Sequence, residues 1–285
     1  MKKRDLKILI YIALFAAAAI LSLIDLPGFL SSDGLSFYAF DVGQGDSFLF
    51  RFPDGSNALV DSGTRKSAGK LVAKLRRLGV SKIDLVVATH PHADHIGGMK
   101  DVINSFEVGK VWDSGYNHGS PVQREMLETI RDKKIRFGRP RAGFVEKRGG
   151  ATIEVLAPKQ PISGTQSDPN NNSIVLRVAY GEVSFLMTGD IEEAGRARAG
   201  PFPKSSVLKA AHHGSANGTD DKLMTDVRPE IAVLSYGRGN QYGHPHKAVL
   251  KLLKKHGTRV YATADGDITI TTDGKTLDVS QGVKR

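Results

Sequence analysis

Ten residues set the terms for any fold this chain can adopt: Thr89-His90-Pro91-His92-Ala93-Asp94-His95-Ile96-Gly97-Gly98. They follow Ile83-Asp84-Leu85-Val86-Val87-Ala88, an almost unbroken apolar run of the kind found in a strand covered on both faces. Three histidines and an aspartate therefore sit on a short loop held by a rigid, buried element. Imidazole nitrogens and carboxylate oxygens are the donors that Zn²⁺, Mn²⁺ or Fe²⁺ accept. His90 and His92, two apart, can reach one ion, while Asp94 and His95 turn toward a second. Gly97-Gly98 allows the backbone to bend close to such a site.

The rest of the chain reads as strands interleaved with helices. Strands are expected at 37–40, 47–52, 57–60, 83–89, 174–180, 183–188, 207–211, 231–235 and 259–262, with a closing hairpin over 267–279. Apolar spacing predicts helices over 66–78, 120–134 and 246–256, the second opened by Ser120-Pro121, an N-cap followed by a first-turn proline. The polar stretch 163–172 reads as a loop. Strand pairs in both halves, interleaved with helices, indicate a layered α/β protein.

The absence of cysteine excludes disulfides, thiolate metal sites and a cysteine nucleophile. The formal net charge of +10 resides mainly beyond residue 30. It favours a polyanionic partner, nucleic acid or an acidic surface polymer, unless the chain is simply a basic soluble protein. Residues 1–30 differ in kind. Lys2-Lys3-Arg4 precedes an uncharged run from Ile8 to Ile24, about the length that crosses a bilayer. The cations would stay cytoplasmic and the remainder would lie outside. A single N-terminal transmembrane anchor over 1–30, holding a hydrolase domain over 31–285 at the cytoplasmic membrane, is the expectation; a cleaved signal peptide with a secreted product is the competing reading.

With these residues in view the sequence resembles the metallo-β-lactamase superfamily, whose hallmark is His-x-His-x-Asp-His after a core strand. The resemblance implies an αββα sandwich with a two-metal site on its edge, the ions being Zn or Mn. Asp61, in Ala58-Leu-Val-Asp-Ser-Gly63, matches the early aspartate that orients the metal loop. Asp190, in Phe185-Leu-Met-Thr-Gly-Asp190, matches the aspartate that bridges both ions, and a carboxylate has the two oxygens that this needs. The late histidine matches His212 or His213; one would complete the second ion's shell, His212 being the first choice, and the other would face substrate. The family's third histidine for the first ion has no counterpart in Asp168-Pro-Asn-Asn-Asn-Ser173. Asn172, through its amide oxygen, is the expected stand-in, with Asp168 as the alternative. A harder donor there moves the metal preference from zinc toward manganese.

Further segments, Phe40-Asp-Val-Gly-Gln-Gly-Asp46-Ser47, Asn172-Ser173, His212-His213-Gly214-Ser215 and Asn240-Gln-Tyr-Gly-His244-Pro-His246, narrow the match. Together they resemble the metallo-hydrolase domain of the ComEC-type competence proteins, which process DNA during uptake. The family's channel-forming protein has many membrane helices and this chain one candidate, so a freestanding domain is expected. Gln44 and Asp46 would shape the site, Asp94 and His244 would be catalytic, and His244 would contact substrate or donate a proton to the leaving oxygen. His118 and His256 read as surface residues, and Ser215 lacks a triad. The function so implied is a phosphodiesterase or nuclease acting on DNA outside the membrane. Lys70, Lys74, Arg76, Arg77, Lys251, Lys254 and Lys255 would hold the backbone or merely solvate two helix faces. The rivals are a surface hydrolase of small esters, lactones or phosphorylated cell-wall groups, and an inactive anchored DNA-binding subunit. No protein partner is implied.

Overall fold

A computed structural model describes residues 34–282. The expected anchor over 1–30 lies outside them; among the described residues no helix is long and apolar enough to cross a membrane.

Two sheets carry the fold. The first has eight strands in the spatial order Asp278–Gln281, Ile268–Thr272, Leu35–Ala39, Phe48–Arg51, Asn57–Val60, Leu85–Ala88, Lys110–Asp113 and Arg136–Gly138. The second has seven: Arg259–Ala262, Ile231–Leu234, Val207–Lys209, Val183–Met187, Val175–Tyr180, Ala151–Ala157 and Val145–Arg148. Successive side chains on a strand point to opposite faces, and the central strands are apolar on both. Leu85 and Val87 enter the core between the sheets, while Val86 and Ala88 enter an outer core. The inter-sheet core centres on Phe37, Phe48, Phe50 and Phe185, whose rings pack 4.9–5.7 Å apart.

Helices close both outer faces. Ala68–Arg77 applies Leu71 and Leu75, Met99–Ser105 applies Val102 and Ile103, and Pro121–Asp132 applies Met126 and Ile130 to the first sheet. Asp221–Val227 and Lys247–Lys255 cover the second with Leu223, Met224, Val249 and Leu253. The layers are therefore α, β, β, α. Ser120 caps its helix as expected, accepting from Gln123 N at 3.3 Å.

Three local differences from the sequence reading have physical causes. The run 83–89 is not one strand: Lys82–Ile83 pairs with Glu107–Val108, whereas Leu85–Ala88 joins the large sheet. Asp84 makes the break, its Oδ2 accepting from Asn57 N. The loop 163–172 contains one helical turn, Asp168–Asn171. Strands between 107 and 157 were not foreseen: Arg136–Gly138 is short and Val145–Arg148 is a charged edge, whereas Ala151–Ala157 alternates buried and half-buried residues and carried a readable signal.

The topology positions the site. Asn57–Val60 runs parallel to Leu85–Ala88, and Val183–Met187, Val207–Lys209 and Ile231–Leu234 are mutually parallel. Loops leaving the carboxyl ends of these strands carry Asp61, His90 to His95, Asp190, His213 and Ser235, the usual place for a site in an open α/β layer. Replacing Phe185, which is fully buried, by alanine is expected to lower the unfolding free energy by about 3–5 kcal/mol, read from urea unfolding at unchanged m-value.

Candidate metal centre

The metal loop is tied down before it is functional. Asp61 holds a left-handed backbone, φ 58°, a conformation that costs free energy for a residue with a side chain and persists only where its surroundings hold it. Its Oδ1 accepts from Thr89 N at 2.9 Å, and its Oδ2 from Thr89 Oγ1 at 2.6 Å. The same Oδ2 lies 2.8 Å from His95 Nδ1. That contact leaves His95 Nε2 free to act as a donor to metal, the arrangement by which carboxylates orient ligand histidines. His213 is set in the same way: its Nδ1 lies 2.8 Å from Ser235 O, and its Nε2 faces inward.

Four donor atoms then converge. His95 Nε2 lies 3.2 Å from Asp190 Oδ2, 3.3 Å from His213 Nε2 and 3.9 Å from Asp94 Oδ2. His213 Nε2 lies 3.2 Å from both Asp94 Oδ2 and Asp190 Oδ2. Metal–donor bonds of about 2.0–2.1 Å in a tetrahedron require donors about 3.3 Å apart, so this set fits a divalent ion. Asp46 also belongs to a close group with His95, Asp190 and His213, whose ligand atoms lie within 4.8 Å of one another. Asp46 approaches the Nδ1 atoms, however, at 3.7 Å from His95 and 3.3 Å from His213. It therefore buttresses the rings, and Asp94 is the carboxylate on the donor side.

A second group shares Asp190. His90 Nε2 lies 3.1 Å from His92 Nδ1 and 3.9 Å from Asp190 Oδ2. His212 Nε2 approaches the same oxygen, also at 3.9 Å. The structure thus puts His213, not His212, in the four-donor set, correcting the first choice made from sequence. Both residues are left-handed, φ 50° and 55°, so consecutive side chains on one tight turn face the two groups.

Asn172 is corrected as well. Its Oδ1 accepts from Ile162 N at 2.9 Å, and its Nδ2 donates to Ile162 O and Asp168 O. The amide closes its own loop and is not a ligand. Asp168 is similarly engaged with Gly164 and Thr165. The neighbouring asparagines act on Glu192: Asn170 Nδ2 donates to its Oε1, and Asn171 Oδ1 accepts from its N–H. Glu192 Oε1 in turn lies 3.2 Å from His212 Nδ1.

The centre is charged and its floor is buried. Lys209, 1% exposed, places Nζ 2.6 Å from Asp46 Oδ2, 3.1 Å from Asp190 Oδ1 and 2.7 Å from Gly189 O. Sequence reasoning missed it, although a lysine at the end of the apolar strand Val207-Leu208 was a visible signal. Burial disfavours the Asp190 anion, but His213, His95 and Lys209 outweigh it and hold its pKa well below the usual value. Burial likewise opposes charge on His95 and His213, yet the surrounding carboxylates, Asp190 foremost, raise both well above an ordinary imidazole. Burial and the charge of His95 pull His90 well down. Burial, with His212, His213 and His246, pushes His244 to about 4. This favours the uncharged imidazole at neutral pH, whose ring still offers one N–H donor toward the cavity.

The remaining candidates are placed around this centre. Asp46 N donates to Asp94 O at 3.1 Å, and any side chain at Gly45 would strike that carbonyl at 2.1 Å. Gln44 Oε1 accepts from Gly237 N. Gln44, Asp94, His212, His213, Tyr242 and His244 line a cavity of about 310 Å³ over the donors. His118 is exposed, but its ring stands 5.6 Å from that of His92, so it is not the isolated residue the sequence suggested. His256 lies at the surface beside Asp221. Of the basic residues, Lys74 is bound to Asp267 and Lys255 to Asp221; Lys70, Arg77, Lys251 and Lys254 are exposed.

Comparison with known proteins agrees with this geometry. The profile of the Metallo-beta-lactamase superfamily matches residues 40–238. ComE operon protein 3 of Bacillus subtilis is 30% identical over 254 residues, covering 82% of this chain and 32% of that protein. Competence protein ComA of Neisseria gonorrhoeae is 31% identical over 228 residues, covering 78% and 30%. The chain spans about a third of the length of these relatives. Among solved structures, the metallo-beta-lactamase fold protein YhfI from Bacillus subtilis superposes with a TM-score of 0.52 at 13% identity, covering 80% of this chain and 96% of that one; this likeness concerns the fold alone.

Two outcomes follow from the charges. The surrounding carboxylates raise the proton affinity of His95 and His213, and a metal can take Nε2 only after any proton there leaves. Binding is therefore expected to release protons at pH 7 and to weaken as pH falls, measured by calorimetry in buffers of different ionisation enthalpy. Lys209→Met leaves Asp46 and Asp190 without their buried cation and is expected to cost the metal-free protein about 3–5 kcal/mol, read by chemical denaturation.

Proposed function

The chain is a metal-dependent hydrolase of the metallo-beta-lactamase superfamily, and from that premise we propose that it hydrolyses phosphodiesters of nucleic acid at a two-ion centre. The observation that carries this reading is the sharing of Asp190. Its Oδ2 serves the His95–His213–Asp94 group at 3.2 Å and faces His90 and His212 at 3.9 Å. One carboxylate between two donor groups is what a pair of ions a few ångströms apart requires.

His212 takes the place that the sequence reading gave to Asn172. Glu192 steadies its Nδ1 and leaves Nε2 toward Asp190. The first ion's set becomes His90 Nε2, His92 Nδ1, His212 Nε2 and Asp190. With three imidazoles and no amide, zinc and manganese both suit the donors. Two such ions would supply Lewis acidity toward a phosphoryl oxygen and a water of lowered pKa. The chain's own residues do the rest. Asp61 and Ser235 O fix the ring planes of His95 and His213. Lys209 balances the carboxylates beneath. Gln44, Tyr242 and neutral His244 line the cavity where substrate would lie.

Two further observations support nucleic acid at the membrane as the setting: the competence-protein relatives, and the basic charge together with the apolar N-terminal run. Hydrolysis outside the cytoplasmic membrane during DNA handling is the corresponding role.

The test uses the full chain stripped of metal, then supplied with Mn²⁺ or Zn²⁺ and labelled single- or double-stranded DNA. Metal-dependent cleavage that Asp190→Ala and His92→Ala reduce at least a hundredfold, roughly the loss of several kcal/mol of charge stabilisation, supports the reading. Tightly bound metal without cleavage of DNA or of any small phosphodiester would sink it and favour esters. Metal analysis separates the ligand assignments: His212→Ala is expected to lose one of two ions and Asn172→Ala neither.

A further inference from the structure

The first sheet ends at the edge strand Arg136–Gly138 and the second at Val145–Arg148, and residues 139–144 join the two edges directly. This face is chemically unlike a spare surface. Phe137, Phe144 and Val145 are 39%, 45% and 50% exposed, close together in sequence and accompanied by cations. The Arg139 guanidinium stands over the Phe137 ring at 5.5 Å. Phe144 meets Trp112 edge-on at 5.3 Å, and Lys110 Nζ covers the Trp112 ring at 5.3 Å. A shallow cavity of about 520 Å³ opens between Trp112, Arg139, Arg141 and Phe144.

The local charge is one-sided. Lys133, Lys134, Arg136, Arg139 and Lys147 are exposed. Of the acids nearby, Glu146 is paired with Lys110 and Arg148, Asp132 with Arg131, and Asp113 is buried and accepts from Gly115 N, while Glu154 lies across from Val145 in the adjoining strand. The face also connects to the metal centre. Arg141 Nη1 donates to Ser114 O at 2.9 Å. From Ser114 the chain runs to His118, held by Gln123 through His118 N, Gly119 N and Tyr116 O, and the His118 ring stands beside His92. Four residues cover at most about 14 Å, so the face begins within a few nucleotides' reach of the metal ligands.

We propose that the face lined by Arg139, Arg141 and Phe144 binds a single nucleic-acid strand whose scissile end lies in the metal centre, a proposal that rests on the phosphodiester reading above. Exposed phenyl rings stack on bases without regard to sequence, and arginines pair with the phosphates between them. A paired duplex hides its bases from such rings. A bilayer would be met by a broader aliphatic surface than one phenyl group flanked by arginines, and it is the alternative that the experiment decides.

Trp112, the sole tryptophan of the chain, reports from beneath the face. Oligothymidylate is titrated into the metal-free full chain while Trp112 emission is followed, and in parallel the metal-loaded protein is assayed on bis(p-nitrophenyl) phosphate. Saturable quenching is expected, with affinity weakened roughly tenfold in Phe144→Ala and in Arg139→Glu, reduced by salt, and with hydrolysis of the small diester unchanged in both variants. Equal affinity in wild type and variants, or emission that responds to anionic phosphatidylglycerol vesicles and not to the oligonucleotide, would overturn the proposal. Failure to hydrolyse the small diester would count against the metal-centre reading, and the binding isotherms would still decide this one.

Discussion

The carboxylates of Asp46, Asp61 and Asp190 are buried at the edge of the sandwich, with Asp94 beside them at the cavity wall. Burying a single unpaired carboxylate costs several kcal/mol, and placing several together adds their mutual repulsion. The fold answers this with Lys209 between Asp46 and Asp190, and with His95 and His213, whose proton affinity the carboxylates raise. Lys209 is a permanent part of the structure. The protons are exchangeable, and a divalent cation is the natural replacement for them. Much else in the site serves this balance: the left-handed turn at Asp61, the paired left-handed histidines, and the glycine at position 45 that lets the first hairpin touch Asp94.

A centre of this kind needs donors brought from distant parts of the chain with little tolerance. Parallel strands provide it. Asn57–Val60 and Leu85–Ala88 end side by side in one sheet, Val183–Met187, Val207–Lys209 and Ile231–Leu234 in the other. Each strand is anchored on both faces by apolar packing, so the loop leaving it starts from a fixed point. Ring orientation is then set by hydrogen bonds of Asp61 with His95 and of the Ser235 carbonyl with His213, and Glu192 stands 3.2 Å from His212 Nδ1. Side chains outside the donor set therefore determine which nitrogen each histidine presents.

The layered α/β class, most of the strands, the helices Ala68–Arg77, Pro121–Asp132 and Lys247–Lys255, and the residues of the metal loop were legible in the sequence. They follow from local pattern: apolar periodicity, capping chemistry and donor-type residues behind a buried strand. Met99–Ser105, Glu193–Ala199 and Asp221–Val227 were not read as helices. Four further matters were not legible. Short or charged edge strands such as Val145–Arg148 carry no alternation strong enough to read. The break at Asp84 depends on a bond to Asn57, which lies in another strand. Asn172 looked like a ligand because its amide partners, Ile162 O and Ile162 N, are invisible without the loop's closure. The part played by His118 depends on a segment that folds back beside His92.

The sequence by itself determined that a metal-type donor cluster follows a buried strand, and that the chain has enough apolar pattern to bury it between layers. Those facts are local, written in residues a few positions apart. Only the tertiary structure decided that His213 joins Asp94, His95 and Asp190 while His212 turns to the other side. It also decided that Lys209 is a buried counter-ion, and that Arg139, Arg141 and Phe144 line one cavity with Trp112. Each is a relation between elements far apart in the chain, set by strand register, by turn conformation and by the cost of leaving a buried charge unpaired.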